Sequence, residues 1–102
     1  MPYISKNARD NVDRTITCLI GDIQDVEKIG DGNLEGVVNY TLSRICNEVL
    51  IGDEPRYSKI NAVIGVLEAV KLEFYRRLAG PYEDGAIEKN GDLNCYKNLE
   101  GE

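Results

Sequence analysis

Histidine and tryptophan are absent from this chain of 102 residues, and phenylalanine and methionine occur once each. Without histidine there is no imidazole for acid–base chemistry near neutral pH and no His ligand for a metal. No Gly-x-x-x-x-Gly-Lys phosphate loop, Gly-x-Ser-x-Gly elbow or Cys/His pair is present either. The three cysteines, Cys18, Cys46 and Cys95, are odd in number and lack Cys-x-x-Cys spacing. They read as reduced thiols rather than a disulfide framework. Cys18 and Cys46 fall in helical patterns and serve as small apolar side chains. No apolar run approaches the ~18 residues that span a bilayer. The opening "MPYISKNARD" lacks the basic-then-apolar order of a secretory signal. The expected location is the cytoplasm, with no membrane partner. A net charge of -6 argues against general affinity for a nucleic-acid backbone, which needs clustered Lys and Arg. It leaves room for a small anion in one local basic pocket.

What is present suits one globular domain over residues 1–102: 42% of residues are hydrophobic and 29% charged. So short a chain buries a modest fraction of its surface, and association is the common remedy. Ala8, Val12, Ile16, Leu19, Ile23 and Val26 step by three or four and predict a helix over 6–28. Gly30 suits its left-handed exit, and Asp31 or Asn33 can cap the next helix. That helix is expected over 34–50, with Leu34, Val38, Leu42, Ile45 and Val49 as its stripe and Val37, Cys46 and Leu50 widening it. Gly52 and Pro55 break the pattern. Ser58 is the expected cap of a third helix carrying apolar residues on two sides, from Ile60 to Leu78. Gly80-Pro81 is expected to stop or kink it. A short fourth helix follows over about 82–90, with Gly91 at its exit and 93–102 as a tail, either flexible or docked across a partner. The fold expected is all-α: an antiparallel helical hairpin, a third long helix and a short C-terminal helix, packed as a homo-oligomeric bundle.

Chemistry concentrates at the hinge. Lys71, Arg76 and Arg77 lie near the end of the third helix, where positive charge also suits the dipole. Tyr75 and Tyr82 flank them. Arginine holds phosphate with paired donors, and tyrosine stacks on a base. Two readings stand side by side: a site for a nucleotide-like anion, or arginines paired with Glu73, Glu83 or Asp84 to lock the hinge. Asn39 and Tyr40 sit at the edge of the second stripe, where Tyr40 also serves as a boundary residue with its ring covered and its hydroxyl wet. Asn90 could read a polar edge. Asp22 and Asp25, spaced i,i+3, could approach Glu48 or Glu68 around Mg²⁺ as in all-α nucleotide pyrophosphohydrolases. The repeated Glu-x-x-Glu and Glu-x-x-Asp pairs of those enzymes are missing, and a solvated acidic face explains the same residues. No cofactor and no resident metal are expected.

The stretch "EFYRRLAGPYEDGAIEKNGDL", preceded by "INAVIGVLEAVKL", together with "MPYI" and "VVNYTLSRI", resembles a family of small phage and prophage proteins. The resemblance carries over no catalytic residue. It implies a protein that acts by binding in the host cytoplasm, either blocking a host or phage protein or sequestering a nucleotide signal of host immunity. Known nucleotide sponges are small and oligomeric, with the ligand held between subunits. The resulting expectation is a non-enzymatic helical oligomer with Arg76, Arg77 and Lys71 on phosphates and Tyr75, Tyr82 or Tyr40 on a base. Asn39 or Asn90 would read polar edges. The alternatives are a protein–protein module and, ranked last, a Mg²⁺-dependent hydrolase.

Overall fold

The computed structural model describes residues 2–28, 30 and 33–100, and every regular element among them is helical. The elements are α1 (Lys6–Lys28), α2 (Leu34–Ile45), a π-helical segment (Cys46–Ile51), α3 (Tyr57–Phe74), a second π-helical segment (Tyr75–Ala79), α4 (Gly80–Asn90) and α5 (Asn94–Glu100). The chain divides into two compact units, Met1–Val66 and Leu67–Glu102.

In the first unit, α1 has the bounds its apolar spacing predicts. The Ser5 hydroxyl accepts from the Ala8 N–H at 3.2 Å and satisfies one of the free donors of its first turn. Gly30 takes φ 72°, the left-handed conformation expected after the helix. Asn33 caps α2: its backbone is extended and its side-chain oxygen accepts from the Gly36 N–H. Asp31, the other candidate cap, lies outside the described residues. Gly36 is tied to this cap, because a Cβ there would stand 2.8 Å from the Asn33 oxygen.

Helices α1 and α2 pack on each other. The half-buried side chains include Ala8, Leu19, Ile23 and Val26 of α1 and Val37 and Thr41 of α2; Cys46 and Leu50 of the first π-helical segment are half-buried too. The main stripe of α2, continued into the π-helical segment by Val49, stays exposed: Val38, Leu42, Ile45 and Val49 keep 39–73% of their surface open. No described residue of either unit is fully buried.

Three details differ from the sequence expectations. Helix α2 does not run as α-helix to Leu50. From Cys46 it opens into π-geometry and ends where the Gly52 N–H reaches the Asn47 carbonyl at 2.8 Å, with Gly52 at φ 69°. Ser58 lies inside the first turn of α3 and does not cap it. Of the two outcomes expected at Gly80-Pro81, the stop does not occur: the helix passes from α3 into α4 through the second π-helical segment. Gly91, at φ 91°, ends α4 as expected, and the segment read as a tail contains α5.

Replacing Asn33 by Ala should lower stability by about 1 kcal/mol, through loss of the cap. In that background Gly36→Ala should raise stability by up to about 1 kcal/mol, because only helix propensity remains at stake. Beside an intact Asn33 the same change should gain little. Urea unfolding followed by circular dichroism at one protein concentration checks both.

Candidate functional site

Pro81 shapes the second unit. It has no N–H, and its ring crowds the carbonyl four residues before it. The helix accommodates it by widening one turn, in which the Gly80 N–H bonds the Tyr75 carbonyl five residues back. An extra residue in a turn rotates everything beyond it by about 100°. Lys71, Phe74 and Tyr75 share one open groove of about 530 Å³ with Leu78, Ala79, Tyr82 and Glu83, positions whose spacing by three and four already sets them on one helix face. The groove is predominantly apolar, with Lys71 near one end and Glu83 near the other.

Polar bonds fix its edges. The Tyr75 hydroxyl donates to Glu83 Oε1 at 2.8 Å, two turns on. That hydrogen bond, then the carboxylate charge, raises the Tyr75 phenol above its ordinary pKa. Lys71 Nζ lies 3.0 Å from Glu68 Oε1. Arg76 is held by Glu73, with Nε and Nη2 at 2.9 and 2.6 Å from Oε1.

Two depressions among the described residues of the first unit hold other residues of interest. One, of about 370 Å³, lies where Leu19 of α1 meets Tyr40, Thr41, Arg44, Ile45, Glu48 and Val49. Arg44 grips Glu48 with two bonds, Nε to Oε2 at 2.6 Å and Nη2 to Oε1 at 3.0 Å. These bonds, then the guanidinium charge, hold the Glu48 carboxyl below its usual range. The same pairing holds Arg44 further above its ordinary value, and Tyr40 adds to it. The other, also about 370 Å³, is lined by Leu34, Glu35, Val38, Asn39 and Leu42. Asn39 there accepts a long bond, 3.4 Å, from the Ser43 hydroxyl.

Of the residues singled out in the sequence, Lys71, Tyr75 and Tyr82 come together in one groove. Arg76 and Arg77 share the π-helical segment but are not among the groove's lining side chains. Tyr40 and Asn39 line separate depressions of the first unit, and Asn90 is the last residue of α4. Asp25 stands 3.9 Å from Lys28. No group of three His, Cys, Asp or Glu among the described residues is placed to hold a metal ion.

A family model described as "Domain of unknown function (DUF6899)" matches residues 1–93. The chain belongs to this family. No curated protein and no solved structure matches it. Family membership therefore adds no activity to what the residues show.

Sequence reasoning passed over Arg44 as a site residue. Its signal was available: Tyr40, Arg44 and Glu48 follow at i,i+4 spacing, which sets them in one row on a helix. Phe74 was read only as packing, although it lines the groove with Tyr75.

Glu83→Gln should bring the Tyr75 phenol back toward its ordinary pKa, read by ultraviolet titration of the phenolate. The raised value means that the bond contributes at pH values below the ordinary phenol pKa. Its contribution disappears as pH climbs through the raised one.

Proposed function

We propose that this chain is a non-enzymatic binding module that acts by helix-to-helix association with protein. The observation that supports this reading is the open main stripe of α2, with no fully buried side chain among the described residues. Sequence patterning builds apolar stripes, and burying such surface is worth roughly 25 cal/mol per Å². Here the α1–α2 contact uses mainly the flank of α2, at Val37 and Thr41, and leaves Val38, Leu42, Ile45 and Val49 for another surface. The arrangement that suits these faces is an antiparallel α1–α2 hairpin completed by a partner. In a phage setting, such a module blocks a host or phage protein in the cytoplasm.

Affinity capture of the full chain from its own cells should recover one stoichiometric protein. Leu42→Asp and Val49→Asp should each weaken that capture tenfold or more while helicity is kept. A chain that recovers no protein, or variants that recover it undiminished, would overturn the reading.

A second reading, capture of a small anionic nucleotide-like ligand as an anti-defence sponge, is favoured by Lys71, Tyr75 and Tyr82 lining one groove. A cation beside two rings can take a phosphate and a base together. Calorimetric titration with cyclic and ADP-ribose-type nucleotides tests it. Lys71→Ala and Tyr82→Ala should then abolish heat release, whereas Arg76→Ala, outside the groove lining, should change it little.

A further inference from the structure

We infer that the groove face of the second unit pairs with the same face of a second copy, antiparallel, about a two-fold axis passing between Leu78 and Ala79. The inference rests on the association reading above but uses a different surface from the α2 stripe.

The lining residues carry it. A two-fold interface brings one patch against itself, so the patch must be complementary to its own reversed copy. About the midpoint between Leu78 and Ala79, the groove residues fall into pairs: Leu78 with Ala79, Tyr75 with Tyr82, and Phe74 with Glu83. Reversal therefore sets Leu78 on the partner's Ala79, a large side chain on a small one. It sets Tyr75 on the partner's Tyr82, which suits offset ring contact.

Charge chooses the direction. Lys71 would lie about three residues, or roughly 4.5 Å, along the axis from the position facing the partner's Glu83, within reach of its flexible stem. A parallel pairing in register would instead place Lys71 on Lys71 and Glu83 on Glu83. The antiparallel pair has an apolar centre and oppositely charged ends, the layout of stable interfaces.

The area is of the right order. Phe74, Tyr75 and Tyr82 leave 61%, 59% and 82% of their surface exposed. At about 200 Å² per side chain the three rings offer roughly 400 Å², half of what one partner gives to a standard interface. Leu78, 62% exposed, adds to this at the centre.

Sedimentation equilibrium of the full chain should show a dimer or a higher even-numbered assembly. Lys71→Glu and Glu83→Lys should each weaken pairing about tenfold, because each change is made twice per dimer. The double variant should recover most of the parental affinity, since it restores opposite charges at both ends. Leu78→Asp should give monomers that remain helical by circular dichroism. In a Cys18→Ser, Cys46→Ser, Cys95→Ser background, Ala79→Cys should link two copies through a short bis-maleimide and Asn90→Cys should not. A chain that sediments as a monomer overturns the inference, as does a charge swap that rescues nothing or a dimer indifferent to Leu78→Asp. Partner capture lost on mutating Leu42 or Val49 reports on the association reading separately. A monomer that still captures a partner through α2 therefore defeats only the self-pairing.

Discussion

Uncovered apolar surface is the constraint on which the rest of this molecule depends. Its helices are patterned to bury a face, and within each unit they do so only in part. Leu19, Ile23, Val37 and Thr41 are half-buried in the first unit, and no described residue goes further. Local terms then carry an unusual share of the order. Asn33 caps α2, Ser5 caps α1, and i,i+3 or i,i+4 ion pairs such as Arg44–Glu48 and Lys71–Glu68 run along exposed helix sides. Each cap is worth about 1 kcal/mol, and the exposed pairs add helix support that salt screens. Together they shape helices, but they do not make an interior.

Proline at position 81 has the second largest influence. A regular α-helix through Leu78 and Tyr82 would keep a single apolar ridge in step with α3. The widened turn at Tyr75–Ala79 resets that step. It brings Tyr75 into line with Glu83, eight residues on, and the two bond at 2.8 Å. Gly80 is part of the solution, since it supplies the N–H that reaches back to Tyr75. A local backbone requirement thus determines which side chains meet.

Much of this was legible from residue order, for identifiable reasons. The bounds of α1 follow from six apolar residues at helical spacing and from Gly30. Asn33 as a cap and Gly91 as an exit follow from what those side chains, or their absence, permit. The wider turns were not legible, because no residue type demands a π-helical segment in the way glycine permits a positive φ. Ser58 looked like a cap by type, yet α3 begins at Tyr57. At the candidate site, Lys71, Tyr75 and Tyr82 were found from composition near the hinge. Arg76 and Arg77 attracted attention as a pair of charges, but Glu73 claims Arg76 and neither lines the groove. Arg76 and Arg77 follow the lining residue Tyr75 by about 100° and 200° around the helix, which turns them off the groove face.

The lack of any fully buried residue among the described ones also bears on how such a protein persists in a cell. If its order is completed by company, its survival scales with abundance, because association shifts folding by mass action. Copies made singly would spend more time open and be cleared by proteases, whereas those made in a burst would shelter one another. Dosage, and not only sequence, would then set its lifetime.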